Sequence, residues 1–168
     1  GVTDAPFGGD AAGRGSSDNF FEARYPWPES LTAVGNTGLD RFAAAFPHVK
    51  AVQADGRELP FADGEFDLGF SNAVVEHVAG GREGQRRFVH ELCRVARRVY
   101  VTTPNRWFPI EVHTLLPFVH WLPAGPRERL LPFDDVLDPL GPDDLAALFP
   151  YSVRVLNNGM TLVAVGPR

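Results

Sequence analysis

The stretch that decides the fold is residues 55–77, which read DGRELPFADGEFDLGFSNAVVEH. An apolar run at 49–54 ends at Asp55, and a second run, 66–70, ends in the small polar residues Ser71 and Asn72. Two predicted strands therefore end in small polar residues. In a parallel α/β sheet, ligands bind outside the carboxyl ends of the strands. The stretch therefore predicts the cofactor half of a nucleotide-binding α/β domain.

The rest of the chain continues an alternation of strands and helices. Apolar periodicity predicts strands at 31–34, 49–54, 66–70 and 99–103, helices at 39–46, 82–97 and 142–149, and a hairpin joining 152–156 to 161–165. Strands that alternate with helices indicate a parallel sheet with right-handed crossovers. We expect an α/β fold, a three-layer Rossmann-like sheet that is mostly parallel and has a C-terminal antiparallel hairpin.

Two longer segments carry a family resemblance: ADGRELPFADGEFDLGFSNAVVEHV and FVHELCRVARRVYVTTPNR. They resemble the middle of a class I S-adenosylmethionine-dependent methyltransferase, with an acidic residue after the third strand, a Leu-Pro-Phe turn and a Phe-Asp fourth strand. The resemblance covers roughly residues 31–105. It implies S-adenosyl-L-methionine as the cofactor and methyl transfer to a small-molecule acceptor as the reaction.

The start of the chain departs from that family, whose first motif is a strand ending in a glycine-rich turn. Residues 1–18 hold no strand-like run, so the resemblance implies a single domain over 1–168 that is N-terminally shortened and lacks its first strand. Gly1 and Asp4 would be the tail of the first motif and would contact the cofactor. We expect the strand pair 31–34 and 49–54 to lack a neighbour, and the strand at Phe66 to have an exposed edge.

The resemblance also implies roles for the residues that follow the strands. Asp55 would accept a hydrogen bond from the adenine amino group, with Gly56 and Arg57 flanking the ring; the alternative is a local Asx turn with Gly56. Gly35 lies at the end of the second family strand and would also contact the cofactor. Much of the family has an acidic residue there, so Asn36 or Asp40 would have to take its place.

Residues after Phe70 would bind the methionine part of the cofactor. The resemblance places Ser71 and Asn72 beside it, and Glu76 within reach of the same crevice. His77 is the candidate proton acceptor, because imidazole titrates near neutrality; the alternative is a packing or capping histidine. Placement of the two reactants can carry much of the rate of a methyl transfer, so a base is not obligatory.

Composition limits the other classes of function. The net charge of −5 argues against nucleic acid as the main partner, although six arginines fall between Arg82 and Arg98 and form either a basic patch or a solvated helix face. No apolar stretch reaches the roughly 18 residues of a membrane span, so we expect no membrane partner and a cytoplasmic protein. The single cysteine, Cys93, excludes an internal disulfide and is expected to pack.

Residues 107–140 interrupt the alternation and are rich in Trp, Phe, Leu and Pro. We expect a mostly helical insert that either lines an acceptor pocket or packs on the domain. Glu111, His113 and His120 suggest a metal site, but no metal-binding motif accompanies them and we expect no metal.

Two other functions remain open. The first is a non-catalytic, methyltransferase-like module that has lost donor binding. The second is another nucleotide-binding enzyme such as a dehydrogenase, which would require a complete glycine fingerprint that the chain lacks. The sequence leaves the oligomeric state undetermined.

Overall fold

A computed structural model describes residues 19–111, 115–123, 125–126 and 138–167 of the chain. Gly1 and Asp4, which the resemblance assigned to the cofactor, lie outside the described residues. The chain divides into two compact units, Gly1–Pro60 and Phe61–Arg168. Each unit is described by itself.

The helices and strands follow the predicted order. The helices are α1 (Phe20–Arg24), α2 (Asp40–Ala45), α3 (Gly81–Val95) and α4 (Pro142–Ala146), and the strands are β1 (Thr32–Gly35), β2 (Lys50–Gln53), β3 (Phe66–Asn72), β4 (Ala96–Pro104), β5 (Arg154–Asn157) and β6 (Thr161–Gly166). Single 3₁₀ turns lie at Pro28–Ser30, Val75–His77 and Val119–Trp121.

The first unit is built on a parallel strand pair with its crossover helix. β1 pairs with β2 from Thr32↔Lys50 to Gly35↔Gln53, and α2 connects them. Its small core consists of Ala33, Leu39, Phe42 and Val49, and the ring of Phe46 packs at a tilt against Phe42, with 5.0 Å between the ring centroids. The predicted strand–helix–strand unit is therefore present, with each bound shifted by one residue.

The second unit holds a four-stranded sheet in the order β3-β4-β6-β5. β3 and β4 are parallel, whereas β6 runs antiparallel to both β4 and β5. Asn157 and Asn158 turn the hairpin, because their side-chain oxygens accept hydrogen bonds from the backbone N–H groups of Gly159 and Thr161. The predicted α/β class with a C-terminal antiparallel hairpin is confirmed, and the strand order leaves β3 at one edge of this sheet.

The core of the second unit lies between the sheet and its helices. Alternate residues of β4 and β6, among them Val99, Val101 and Leu162, are fully buried, and α4 contributes Leu145. Helix α3 lies so close to β3 that a Cβ atom added at Gly69 would stand 2.7 Å from Leu92. Glycine is therefore needed at that position for the helix to reach the strand.

The single cysteine belongs to the same core. Cys93 is partly buried and packs against the apolar cluster, as the sequence predicted. Its burial raises the pKa of the thiol, because a thiolate would lose its hydration there.

Arg94, near the end of α3, holds the turn that precedes β3. One guanidinium nitrogen donates to the carbonyl of Phe61 and to Asp63 Oδ1, both at 2.8 Å, while Glu91 binds the other side of the group. The hydrogen bonds from Glu91 and Asp63 raise the pKa of Arg94 further above its ordinary value. The Leu-Pro-Phe turn is thus anchored to the helix that covers β3.

The described part of the expected insert contains little helix. Its residues form a bridge between Ile110 and Pro117 and the 3₁₀ turn at Val119–Trp121, with two further helical residues at 125–126. Among the residues that the structure describes, no helix has the length and apolar character needed to cross a membrane.

Gly84 provides a test of the packing at the start of α3. A Cβ atom there would lie 2.0 Å from the backbone oxygen of Ala79, which cannot move like a flexible side chain. We expect Gly84→Ala to lower the free energy of unfolding by roughly 1–3 kcal/mol, the usual cost of overpacking. Gly125→Ala is the control, because nothing lies within 4 Å of its added Cβ. Equal denaturant midpoints for the two variants would contradict this packing.

Candidate functional site

The carboxyl ends of β3 and β4 lie side by side because the two strands are parallel and in register. Asn72 stands opposite Thr102, whose hydroxyl donates a hydrogen bond to Asn72 Oδ1 at 2.7 Å. The backbone N–H of Ala73 donates in turn to the carbonyl and hydroxyl oxygens of Thr102, at 3.1 and 3.2 Å. The structure therefore brings Ser71 and Asn72 to the strand edge that the sequence predicted, and it fixes them there.

The chain turns sharply where β3 ends. Ala73 has a φ of 49°, in the left-handed region that residues with a side chain rarely adopt. The preceding Ser71 is 2% exposed. A left-handed residue costs about 1–2 kcal/mol, and the hydrogen bonds to Thr102 offset part of that cost. Strained backbone of this kind is often found at functional sites.

Glu76 is a fully buried carboxylate in the 3₁₀ turn after β3. Its Oε2 accepts a hydrogen bond of 2.9 Å from the hydroxyl of Thr103, and its backbone oxygen accepts one from the N–H of Asp138. Gln85, also fully buried, donates to the carbonyl of Asp138 at 2.9 Å. Glu76 therefore links the turn, β4 and the segment that precedes α4, a structural role that the sequence did not reveal.

In the first unit, the ends of β1 and β2 meet in the same way. The N–H of Ala54 donates to the carbonyl of Gly35 at 2.9 Å, so Gly35 and Asp55 lie at one edge of the strand pair. Asp55 Oδ1 accepts the N–H of Arg57, which closes an Asx turn across Gly56. The guanidinium of Arg57 also binds both carboxylate oxygens at 2.7–3.1 Å, and this raises the pKa of Arg57.

The Asx turn that the sequence left as an alternative for Asp55 is therefore formed. The carboxylate is half exposed, and Arg57 occupies most of its accepting positions. An adenine amino group at this position would replace one of the Arg57 contacts. Of the two proposed substitutes for an acidic residue after β1, Asn36 follows the strand and Asp40 begins α2; both are exposed.

Residues 26–99 match the model of the methyltransferase domain family. Over these residues the chain is similar to that family. The match contains the site residues from Gly35 to His77, and it supports S-adenosyl-L-methionine as the cofactor that the resemblance implied. No curated protein sequence matches the chain.

Solved structures agree with the fold at low sequence identity. A protein from Pyrococcus horikoshii OT3 has a TM-score of 0.60 at 15% identity, over 89% of this chain and 76% of its own. An S-adenosylmethionine-dependent methyltransferase from Mesorhizobium loti has 0.57 at 13%, over 83% and 81%, and one from Methanosarcina mazei has 0.55 at 15%, over 82% of each chain. At these identities the likeness establishes a methyltransferase-like fold.

His77 lies in the 3₁₀ turn after β3, and both of its ring nitrogens are shielded from solvent. Its backbone N–H donates to the carbonyl of Val74 at 2.9 Å. This burial resembles the packing role that the sequence left open. The role of proton acceptor stays a prediction, and it requires that acceptor binding exposes the ring.

The residues considered for a metal do not converge in the described part of the chain. His113 lies outside it, and no group of three His, Cys, Asp or Glu suited to a metal occurs within it. Glu111 and His120 are both buried. His120 Nε2 lies 3.0 Å from the carbonyl oxygen of Arg106, so this nitrogen carries the proton and donates it.

The arginines between Arg82 and Arg98 are largely paired. Arg86 lies 3.3 Å from Glu83, Arg97 lies 3.0 Å from Asp67, and Arg94 binds Glu91 and Asp63. Arg82 lies 3.6 Å from Asp144. Four of the six arginines in this segment therefore have an acidic neighbour.

Sequence reasoning assigned no site role to Thr102, Thr103 or Gln85. Both threonines belong to β4, in the part of it that was predicted as a strand, and they follow the buried residues Val99 and Val101. Their position opposite the end of β3 was the available signal, because polar residues at the ends of adjacent parallel strands share one edge. Gln85 had no comparable signal, since its partner Asp138 is 53 residues away.

Asp144 closes the polar network of the second unit. Its Oδ2 accepts the N–H of Gly141 at 3.1 Å and lies 3.4 Å from Arg106. The Gly141 hydrogen bond, followed by the charges of Arg82 and Arg106, lowers the pKa of Asp144 below its ordinary 3.8, although partial burial opposes the shift. The ionised carboxylate therefore stabilises the folded chain.

Asp144→Asn should lower the free energy of unfolding by roughly 0.5–1 kcal/mol at neutral pH, because the group is partly exposed and screened. A lowered folded pKa contributes stability above the unfolded value of 3.8 and loses it as pH falls through the folded pKa. Denaturant titrations from pH 7 to pH 2 should therefore converge at the acid end. Asp143→Asn, in the same turn, is the control for the charge change. If both variants lose the same free energy of unfolding with the same pH dependence, the role given to Asp144 is wrong.

Proposed function

We propose that the chain binds S-adenosyl-L-methionine and directs its methyl group to a small-molecule acceptor in the cytoplasm. The observation that supports this most directly is the register of β3 and β4, which fixes Asn72 beside Thr102 at the strand ends of a methyltransferase domain. When bound, the cofactor would supply a methyl group on a positively charged sulfur; transfer to an O, N or C atom of the acceptor would leave a neutral thioether and release the proton of that atom.

The ends of β3 and β4 suit the amino-acid part of the cofactor. Asn72 Oδ1 already accepts from Thr102, so its amide presents the NH₂ end, which donates to a carboxylate. Glu76 supplies a carboxylate for an ammonium group, and its Oε2 is held by Thr103. Ser71 contributes a small, buried hydroxyl directly before them. We therefore assign Ser71, Asn72 and Glu76 to the methionine end.

The end of β2 suits the adenine part. The carboxylate of Asp55 can accept a hydrogen bond from an exocyclic amine once one contact to Arg57 is released. Gly56 leaves the backbone open beside it, and Arg57 offers a planar guanidinium for stacking on the base. Gly35, at the neighbouring strand end, has no side chain to obstruct the sugar.

Calorimetry with S-adenosylmethionine, S-adenosylhomocysteine and NAD tests the proposal. We expect saturable binding of the first two and no heat with NAD. NAD binding alone would favour a dehydrogenase-like function. If none of the three gives heat or a melting shift, the chain is the non-catalytic module that has lost donor binding.

Asp55→Ala should weaken S-adenosylhomocysteine binding by roughly 1–3 kcal/mol, since the adenine amino group would lose its acceptor. The matched control is Asp67→Ala, which also removes an aspartate paired with an arginine, at 3.0 Å from Arg97. The affinity of the control should equal that of the unaltered chain. If both variants bind with equal affinity, Asp55 does not contact adenine, but the proposal that the chain binds the cofactor still stands.

His77→Ala should leave S-adenosylhomocysteine affinity unchanged and lower turnover, if the imidazole accepts the acceptor's proton. His90→Ala, at an exposed position of α3, is the control. Unchanged turnover in His77→Ala would show that placement alone is sufficient and that His77 packs.

A further inference from the structure

Residues 107–111 and 115–123 present an apolar surface, which we call the apolar loop. Every exposed residue in its described part is apolar: Trp107, Pro109, Ile110, Leu115, Leu116, Pro117, Phe118, Trp121, Leu122 and Pro123. Leu115 is 75% exposed and Trp107 is 63% exposed. Soluble monomers rarely expose so many large apolar side chains on one continuous segment, and such surfaces mark interaction sites.

The polar groups of the apolar loop face inward. Its two titratable side chains in the described part, Glu111 and His120, are 5% and 8% exposed. The ring N–H groups of His120 and Trp121 both donate to the backbone oxygen of Arg106. In the described part of the loop the exposed side chains therefore carry no charge, and an uncharged, apolar partner would complement them.

Two of the most exposed side chains are held outward by an unfavourable backbone. Leu115 and Phe118 have φ values of 60° and 61°, in the left-handed region that glycine or asparagine adopts more easily. Neither this conformation nor the exposure of these side chains stabilises the free chain. Strain of this kind, confined to a loop that exposes apolar groups, indicates a role outside folding.

Much of the loop backbone satisfies its own donors. The N–H groups of Glu111, Leu115 and Phe118 donate to carbonyls within the loop at 2.7–2.9 Å. Those of Trp121 and Leu122 do the same through the 3₁₀ turn. Pro109, Pro117 and Pro123 have no N–H. A backbone whose donors are already paired suits a water-poor lipid environment, whereas protein interfaces usually supply hydrogen bonds across a polar rim.

We propose that the apolar loop inserts into the surface of a lipid bilayer and holds the protein there peripherally. Trp107 and Trp121 would lie at the headgroup level, where indole rings concentrate, and Leu115 and Phe118 would enter the acyl boundary. The chain has a net charge of −5, so the attachment is hydrophobic and not electrostatic. The sequence expectation of no membrane partner rested on the lack of a spanning segment, which peripheral attachment does not require.

Vesicle flotation of the full chain tests this without reference to methyl transfer. The probes are vesicles of phosphatidylcholine alone and of phosphatidylcholine with phosphatidylglycerol, each at low and high salt. We expect similar binding to both, with little dependence on salt. In a Trp27→Phe background, the remaining tryptophans belong to the apolar loop, so lipid should shift their fluorescence to the blue.

The double variant Leu115→Asn, Phe118→Asn separates lipid contact from folding. Asparagine tolerates the left-handed backbone, so the melting temperature should stay equal or rise. The affinity for vesicles should fall by about tenfold or more, because two apolar side chains are lost from the lipid. Leu68→Asn is the control, an exposed leucine on β3 that should leave vesicle binding unchanged.

Three results would overturn the proposal. The first is no flotation with either vesicle. The second is binding to anionic vesicles alone that salt abolishes. The third is that the unaltered chain forms a dimer and does not bind lipid, whereas the double variant is a monomer. A second copy of the chain would then cover the apolar loop.

Discussion

The parallel pairing of β3 with β4 is the constraint on which the second unit depends. Side chains alternate between the two faces of a strand, so a slip by one residue would turn Val99 and Val101 out of the core. The same slip would move Thr102 away from Asn72. The burial of the core and the arrangement of the strand ends are therefore set by one register. On its other side, β4 pairs with β6, and this second pairing also holds β4 in place.

The strand-end residues contribute to stability as well as to the proposed chemistry. Thr103 holds the buried carboxylate of Glu76, and Gln85 holds the carbonyl of Asp138. A hydrogen bond of this kind contributes only about 1 kcal/mol net, but loss of one buried partner costs more. These hydrogen bonds preorganise the turn at Val75–His77. The hydrogen bonds from Ala73 to Thr102 offset part of the free-energy cost of the left-handed backbone at Ala73.

Sequence patterns predicted the order and type of the elements but shifted several boundaries, and one of these shifts has a clear physical reason. The helical pattern ran to Arg97, whereas α3 ends at Val95 and β4 begins at Ala96. Local propensity allows helix there, but Ala96 pairs with Phe66 across the sheet, and that long-range pairing prevails. For Asp55 the sequence offered two roles, adenine binding and an Asx turn. The Asx turn could be predicted from the sequence because it joins only Asp55 and Arg57, which are two positions apart.

The sequence by itself determined the features that depend on near neighbours: apolar periodicity, the Asn157–Gly159 turn, polar strand ends and the apolar composition of the loop at 107–123. Tertiary structure decided which polar atoms meet and which apolar side chains stay outside. Thr102 and Asn72 are 30 residues apart, and no local pattern encodes their hydrogen bond. The composition of 107–140 predicted an insert that lines a pocket or packs on the domain. In the folded loop Leu115 and Phe118 are exposed instead, and several backbone donors are paired within the loop.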